Sequence, residues 1–518
     1  MTRSFTEITN EFPGYDDLST EKRWIPLHLR EKLSIFRIIS ICSSMFAFQV
    51  AYSVGNSLCT PIMTRLGANS ALISVIWMSG PISGFFVQPI LGVFSDKCRL
   101  KMGRRRPFMI IGLFGILIGF SLLYCIDLLS NNNTIKIIIF ALVMLETYIS
   151  INILQGSSRS LVGDLIPLHQ QILATTISST LISLASVITN LIGGLNISTR
   201  ISLKLSSTLN SDDNNNTVSS ITKFFIGISE EQFIFLVGLI LIIITVTITL
   251  ISATEERIYR QAEKRDNPIK EIFLVVKAMP KPIFRISIVY FFSWMAYYPF
   301  LIGVTDFFGK DIYHADPNSG EYMEGVSFGM LVLAVSSGLA LLYSPFQNLT
   351  IKTFGLKLTF AFSQILVTVC LFLIIILLKT LKNSGVDDDI KWILMGVLSP
   401  TGIAFTIFNS IPFAIVKLSI PTNPPLFNDG NENGNDKTGV YMGVLNCFAV
   451  VGQQLSNFLL NSGFGLLFND KAPVLSIGGV FSFIAAIMCV FIILPDRKRS
   501  SKLIDPLEPL APKTNPDF

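Results

Sequence analysis

Long apolar runs alternate with short polar stretches along most of the chain. A helix needs about 20 mainly apolar residues to cross the hydrocarbon core of a bilayer. Runs of this length fall into two sets of six, separated by a polar gap between Thr254 and Lys281. They lie near 35–63, 71–94, 107–128, 135–163, 171–195 and 232–253, and then near 282–304, 325–346, 357–379, 390–417, 438–461 and 473–494. The pattern predicts an all-α integral membrane protein with twelve transmembrane helices in two six-helix halves.

Composition agrees with a membrane chain. Half of the 518 residues are hydrophobic, only 14% are charged, and the mean hydropathy is +0.58, whereas soluble domains carry roughly 25% charged residues. The first apolar run is too long for a signal peptide, so we expect it to remain as the first helix. Cysteine and histidine show no paired or ligand-like spacing, and we therefore expect neither a metal site nor a cofactor.

The positions of Lys and Arg predict which loops face the cytoplasm. Basic clusters at 22–32, 97–106, 257–281 and 497–502 all fall on one side of the predicted membrane, and cytoplasmic loops are the ones enriched in these residues. Both termini are therefore predicted to be cytoplasmic. The opposite loops contain three glycosylation sequons, at Asn132, Asn196 and Asn215, which agrees with an external position.

The predicted organisation has two matching halves. In order, it consists of a cytoplasmic segment 1–34, a six-helix half 35–253, a basic linker 254–281, a second half 282–494 and a cytoplasmic tail 495–518. Secondary transporters are commonly built from such repeats, with the substrate held near the membrane midplane between them. The layout alone favours a transporter over a channel or a receptor.

Three predicted helices carry polar residues that share one helix face. They are Gln49, Ser53, Asn56 and Thr60 in the first run, Tyr148, Asn152, Gln155 and Arg159 in the fourth, and Asn446, Gln453 and Asn457 in the eleventh. Polar groups at membrane depth need partners, so these stripes either hydrogen-bond to neighbouring helices or face a common aqueous cavity. Amides and hydroxyls beside an Arg favour a hydrogen-bonding substrate such as a sugar. The candidate substrate-binding residues are Asn152, Gln155, Arg159, Gln49, Asn56, Asn446 and Gln453.

Three carboxylates inside apolar runs are candidate proton carriers: Glu146, Asp164 and Asp306. Burial raises the pKa of a carboxyl group towards neutral pH, where the group can take up and release a proton. A structural salt bridge or a position at a helix end is the alternative for each. Glu146 lies about 140–160° around its helix from the polar face, so we expect it to face a neighbouring helix rather than the cavity.

Several segments resemble a known family. "IWMSGPISGFFVQPILGVFSDKCRLKMGRRRPF", "NILQGSSRSLVGDL", "YYPFLIGVTDFFGKDIYHADP", "IPFAIV" and "GVYMGVLNCFAVVGQQ" resemble, in order, motifs of plant sucrose–proton symporters and their animal relatives. These proteins belong to the glycoside–pentoside–hexuronide group of the major facilitator superfamily. The matches run from about Thr60 to Leu467. The resemblance implies the major facilitator fold, alternating access and transport of a glycoside with a proton.

The resemblance also implies roles for individual residues. Arg159 matches a fourth-span Arg that contacts the sugar and an acidic partner, with Asn152 and Gln155 near the sugar. Asp306, Lys310 and Asp311 match charged positions at the outer end of the seventh span.

The chain departs from the family pattern at the position expected for the proton carrier. Plant symporters have an Asp eleven residues before the Arg, whereas this chain has Tyr148. A Tyr side chain titrates near 10 and is a poor proton carrier at neutral pH. Ser70 stands where those symporters have a His, and Gly452 where they have a Pro. If coupling is retained, we expect Glu146 first and Asp306 second to carry the proton.

The loop "GVFSDKCRLKMGRRRP", Gly92–Pro107, is predicted to form an inner gate. The loop is too short to read nucleic acid, and part of its charge follows the positive-inside rule. It resembles the superfamily loop Gly-x-x-x-Asp-(basic)-x-Gly-Arg-(basic), with a few residues inserted after the Asp. We expect Asp96 to pair with Arg104 or to cap a facing helix, where the dipole favours an anion. The gate residues are Gly92, Asp96, Gly103, Arg104 and Arg105.

The predicted function is transport of sucrose or a related disaccharide or glycoside by proton-coupled symport. An uncoupled facilitator is the alternative. A sugar sensor is a second one, although the cytoplasmic segments are short for signalling. No hydrolase, metalloprotease or phosphate-loop motif occurs in the sequence, so an enzyme is not expected. The expected partners are a small sugar and the lipid bilayer but no nucleic acid, with a monomer in the plasma membrane or in a vacuolar or endosomal membrane.

Overall fold

The structure, a computed structural model, describes residues 27–68, 70–195, 230–255, 273–274, 276–315, 319–382, 389–420, 438–459 and 471–493. Within these ranges the chain is almost entirely helical and contains no strand. The long helices of the first half are α1 Ile35–Arg65, α2 Ser70–Asp96, α3 Arg106–Tyr124, α4 Asn133–Leu165, α5 Gln171–Gly194 and α6 Glu230–Ser252. Those of the second half are α7 Lys281–Phe307, α8 Gly320–Tyr343, α9 Gln347–Lys382, α10 in three pieces (Ile390–Leu398, Thr401–Phe408 and Ile411–Ser419), α11 Thr438–Ser456 and α12 Lys471–Met488.

The helices are suited to a membrane. Ten segments of the described residues are long and apolar enough to cross one. One of them, Gly320–Thr380, contains both α8 and α9, and α11 is not among them, so the total of twelve spans stays a prediction. Large apolar side chains cover the outer surface; Phe114 and Phe362, for example, are more than half exposed. Such a surface is expected where the solvent is lipid.

Each set of helices packs around an apolar core of its own. One cluster of buried side chains runs from Leu27 to Ala253, and the other consists of residues from Ile283 to Ile492 together with Val93. Two cores separated at the basic gap are what two independently packed halves require. The predicted limits of the cytoplasmic segments stay predictions, because residues 1–26, 256–272 and 494–518 lie outside the described part of the chain.

Two helices of the second half are interrupted. Gly355 inside α9 has a φ of +79°, which glycine adopts without the steric penalty of a side chain. It separates a short inner segment from the part of α9 that matches the predicted run 357–379. In α10 the regular hydrogen bonding stops near Pro400 and again at Asn409 and Ser410. The second break lets the Asn409 side chain turn towards the first half.

The two halves touch where the gate was predicted, at the end of the bundle that we call the inner end. There α2 packs along α11 through glycines: a Cβ on Gly92 would lie 2.8 Å from the carbonyl oxygen of Gly439, and one on Gly443 would lie 2.9 Å from Cα of Pro89. Between α5 and the start of α9, Thr176 Oγ1 donates to Asn348 Oδ1 at 3.2 Å. The inner end is therefore closed in this structure.

Candidate functional site

A cluster of hydrogen-bonded polar side chains lies inside the first half, centred on the buried amide of Asn152 in α4. Its Oδ1 accepts hydrogen bonds from Gln88 Nε2 at 2.8 Å and from the Tyr52 hydroxyl at 3.2 Å. Its Nδ2 donates to Ser83 Oγ at 2.9 Å, and Gln88 Nε2 also donates to Gln155 Oε1 at 2.5 Å. We call these five residues the Asn152 cluster. It joins α1, α2 and α4 through neutral donors and acceptors.

Small residues bring α11 and α1 to the same cluster. A Cβ on Gly84 would lie 3.0 Å from Asn152 Oδ1 and 3.4 Å from Asn446 Nδ2, so the α11 amide approaches the cluster across the interface between the halves. On the other side, the Tyr148 hydroxyl donates to Asn56 Oδ1 at 3.3 Å. Four predicted substrate-binding residues, Asn56, Asn152, Gln155 and Asn446, are thus brought together.

Two predicted substrate-binding residues lie apart from this group. Gln49 Nε2 donates to Ser53 of its own helix at 3.2 Å and to Ser186 of α5 at 3.0 Å. Among the described residues, no hydrogen bond joins Gln49 or Gln453 to the Asn152 cluster. Gln49 therefore forms a hydrogen bond to a neighbouring helix, which was the alternative to a substrate contact. The substrate role of both residues stays a prediction.

Arg159 lies further along α4 towards the inner end and reaches across to the second half. Its Nη2 donates to Asn409 Oδ1 at 3.3 Å, and its guanidinium carbon lies 4.0 Å from the centre of the Phe413 ring. Phe48 lies on the side of the first half, 5.7 Å from ring centre to guanidinium carbon. The sugar contact of Arg159 stays a prediction, and the acidic partner that the resemblance implied is replaced here by an amide and aromatic rings.

The candidate proton carriers lie away from the Asn152 cluster. Glu146 faces α3: Ser150 Oγ donates to its Oε1 at 2.8 Å, and a Cβ on Gly119 would lie 2.9 Å from its Oε2. Asp306, at the end of α7, accepts from the Tyr322 hydroxyl at 2.8 Å and from Lys310 Nζ at 3.1 Å. The neighbouring-helix alternative therefore holds for Glu146, and no proton role is tested for either residue.

The predicted gate residues form a buried ion-pair cluster. Arg105, fully buried, donates from Nε to Asp164 Oδ2 at 2.8 Å and from its other nitrogens to Asp96 and Ser95. Arg104 pairs with Asp164 at 2.9 Å. Arg105, the residue immediately before α3, thus pairs with Asp96, where Arg104 was one of the two expected partners. Asp164 shows the ion-pair alternative to proton carriage.

Glu255, just after α6, caps the same region. Its carboxylate accepts hydrogen bonds from the backbone N–H groups of Arg105 and Arg106, each at 3.0 Å. It thereby satisfies amides at the start of α3, where the helix dipole favours an anion. Burial raises the pKa of Glu255, which the backbone hydrogen bonds partly oppose. Gly103 provides the room: its φ is +103°, and a Cβ there would lie 2.5 Å from Glu255 Oε2.

The interpretation of the sequence missed Gln88, Asn409 and Glu255. Gln88 could have been found, because it shares one helix face with Gly84 and Gly92 at i+4 spacing. Asn409 and Glu255 carry no such signal: their partners lie 250 and 150 residues away along the chain.

Of the three sequons predicted to be external, one lies in the described residues. Asn132 is exposed and caps α4, with its Oδ1 accepting from Thr134 N at 2.9 Å. Asn196 and Asn215 lie outside the described part of the chain. Glycosylation stays a prediction.

Comparison with known proteins decides the family. The family model of the Major Facilitator Superfamily matches residues 39–456. The chain belongs to the major facilitator superfamily. Membership in this family identifies a multi-pass membrane transporter and not an enzyme, as predicted.

Individual relatives and solved structures agree with that membership. The chain is 26% identical over 485 residues to a sucrose transport protein (SUC4) of Arabidopsis thaliana, covering 89% of this chain and 90% of the relative. It is 28% identical over 320 residues to a general alpha-glucoside permease of Schizosaccharomyces pombe, covering 58% and 54%. A bacterial homologue of the iron transporter ferroportin, solved in an outward-facing state, matches with a TM-score of 0.58 at 13% identity, covering 91% of this chain and all of that one. At this identity the structural likeness shows only the shared facilitator fold.

Proposed function

We propose that this facilitator-superfamily protein transports sucrose or a related glycoside. The observation that carries the proposal is the Asn152 cluster, which joins amides and hydroxyls of α1, α2 and α4 beside Asn446 of α11. A sugar presents many hydroxyl groups, and each needs a neutral donor or acceptor in place of water. The relation to a sucrose transport protein over about nine-tenths of both chains supports the same substrate class.

The proposed cycle moves the two halves against each other. Here the inner ends are held together by the contact of Gly92 with Gly439 and by the packing of Gly439 against the ion pair of Asp96 and Arg105. Opening to the inside separates α2 from α11, and opening to the outside restores their contact. Gly92, Asp96, Gly103, Arg104 and Arg105 act together as the inner gate. The Asn152 cluster and Arg159 lie along α4 beside this moving interface.

The resemblance to symporters makes proton coupling the expected mode of transport. The surroundings of the candidate proton carriers, however, favour the uncoupled alternative. Tyr148 replaces the carboxylate of the related symporters and donates to Asn56. The three remaining candidates are bonded elsewhere: Glu146 at the α3 face, Asp164 to Arg104 and Arg105, and Asp306 to Tyr322 and Lys310. A facilitator that moves sugar down its gradient needs none of them.

The experiment uses the purified chain in proteoliposomes with radiolabelled sucrose and maltose. Initial uptake is measured with an inward proton gradient, without a gradient, and with an uncoupler. Uptake that rises with the gradient and concentrates the sugar supports symport. Saturable uptake that ignores the gradient supports the facilitator. Failure to move either sugar, or any of a panel of other glycosides, contradicts the proposed function.

A further inference from the structure

The inner end of the protein contains two kinds of cation. Arg104 and Arg105 are paired with Asp96 and Asp164. Arg159 and Lys417 are not: in the described part of the chain, no carboxylate lies within 4.0 Å of either. Asp96 and Asp164 are thus already paired with gate arginines, and positive charge is left over at the interface.

Arg159 is enclosed by groups that carry no negative charge. Its Nη2 donates to the amide oxygen of Asn409, and Phe48 and Phe413 supply ring faces. Aromatic faces attract a cation through their quadrupole but do not neutralise it. A guanidinium taken out of water without a counter-ion is strongly unfavourable.

Arg159 borders two small cavities between the halves. One is lined by Gln88, Gly92 and Gly439, and the other by Gly163, Thr175 and Asn409. Among the residues that the structure describes, no carboxylate lines either cavity. The guanidinium is therefore the charged group that a ligand in these cavities meets.

Lys417, from the third piece of α10, adds a second positive charge from the other half. Its Nζ donates to Thr438 Oγ1 at 3.0 Å. Its stem packs against Gly163, which lines the second cavity: a Cβ on that glycine would lie 3.8 Å from Lys417 Cδ. Lys417 thus lies beside the second cavity, which Arg159 borders and whose described lining contains no carboxylate.

We propose that the cavity at Arg159 binds one monovalent anion during the transport cycle. The role of the anion in sugar transport rests on the proposed function, whereas the binding of an anion at Arg159 does not. The charge has two possible sources, a carboxylate carried by the sugar or a small free anion such as chloride that accompanies a neutral sugar. In both cases it supplies the counter-charge that Tyr148 cannot supply, with charge-assisted hydrogen bonds to the guanidinium.

The first measurement is thermal unfolding of the full chain in detergent. The buffer contains the bulky sulfonate MES as its background anion, and the ionic strength is kept constant while each test anion is added. Chloride tests the free anion. Lactobionate and lactitol test the sugar acid, because they share one disaccharide skeleton and differ in the carboxylate. We expect chloride or lactobionate to raise the unfolding temperature and lactitol to have a smaller effect.

Two variants assign the effect to its residue. Arg159→Gln is expected to weaken anion binding by about tenfold or more, since a hydrogen bond to a charged group is lost. Lys352→Gln removes an exposed positive charge on α9 and is expected to keep the response. An equal response in both variants overturns the proposal.

The second measurement does not depend on a variant that folds. Sucrose uptake into proteoliposomes is compared in chloride and in MES at zero membrane potential, and lactobionate uptake is compared with lactitol uptake in MES. Sucrose uptake that requires chloride identifies the free anion, and uptake of lactobionate in preference to lactitol identifies the sugar acid. Equal sucrose uptake in both salts, no preference for lactobionate and no thermal response together overturn the proposal. If no sugar moves but Arg159→Gln abolishes a thermal response, the anion site stands and the proposed function fails.

Discussion

At the inner end, single residues matter either because they lack a side chain or because they place a charged group in a confined space. Gly103 combines a φ of +103° with the close approach of Glu255, and Glu255 in turn caps the start of α3. In the Asn152 cluster, Gln88 links two side chains in a similar way, because its amide nitrogen donates hydrogen bonds to both Asn152 and Gln155. In both arrangements a buried polar group has few hydrogen-bond partners, so the loss of one partner lowers the stability of the folded protein.

Gly103→Ala is predicted to destabilise the protein more than Gly67→Ala. Gly67 also has a positive φ, +86°, but nothing lies within 4 Å of a Cβ placed there. Both changes strain the backbone by about 1–2 kcal/mol, whereas only the first displaces the Glu255 carboxylate from the α3 amides. The measurement is the thermal unfolding temperature of the two variants. Equal losses would show that the Glu255 contact adds nothing.

Gln88→Leu is predicted to raise KM for the transported sugar by about tenfold, with a smaller change in the maximal rate. The reason is that Asn152 and Gln155 lose the donor that orients both amides, and one charge-free hydrogen bond is worth about 1 kcal/mol. Gln364→Leu is the matched control: Gln364 is equally buried, bonds to Ser482 and lies in the second half. Initial uptake rates over a range of sugar concentrations give both constants. An unchanged KM in Gln88→Leu would contradict the role of the cluster.

At the scale of elements, the packing of α2 against α11 controls whether the inner end can close. Glycines alternate along this seam, with Gly84 and Gly92 on α2 and Gly439 and Gly443 on α11. Small residues let two backbones approach closely, as is common between membrane helices. The seam is therefore a surface that fits in one arrangement of the halves and separates in the other.

Gly92→Ala is predicted to hold the inner end open. The added Cβ would lie 2.8 Å from the Gly439 carbonyl, where backbone rather than a flexible side chain must give way. Gly396→Ala, in α10, adds the same atom to a helix where nothing lies within 4 Å. Hydrogen exchange of α2 and α11 amides is expected to rise in the first variant only, and net sugar uptake to fall about tenfold or more if closure costs more than about 1.4 kcal/mol. Normal exchange and normal uptake in Gly92→Ala would refute the seam as a gate.

At the scale of the whole molecule, the buried ions at the inner end link three helices of the first half to the start of α11. Asp96 pairs with Arg105 and lies next to Gly439, in the first turn of α11. A carboxylate at a helix N-terminus is favoured by the dipole. The pair is therefore an inter-half contact as well as a contact inside the first half.

Asp96→Asn is predicted to slow turnover more than it weakens sugar binding. The amide keeps the shape of the side chain but loses the ion pair, so the closed inner end becomes less populated while the Asn152 cluster is untouched. We expect the maximal rate to fall about tenfold and KM to change less than about twofold. Asp127→Asn, which removes an exposed carboxylate paired with Lys136, is the control. A normal maximal rate with a raised KM would contradict a gating role.

The sequence by itself determined the membrane class, the runs that become helices and the division into two halves. These follow from hydropathy, which is a local property summed along about 20 residues. It also identified Asn152, Gln155 and Arg159 as polar residues on one face of α4, because helix geometry relates spacing to direction. The family motifs in order along the chain pointed to the superfamily that the family model then showed.

Only the tertiary structure decided which of those residues meet. Arg105 pairs with Asp96, Glu255 caps α3 from 150 residues away, and Arg159 meets Asn409 across 250 residues. Such pairings depend on the rotation and register of one helix against another, which local spacing does not contain. Likewise, the spacing set Glu146 away from the polar face, and packing decided that the helix it faces is α3. Periodicity assigns a residue to a face of its own helix, whereas packing decides what that face contacts.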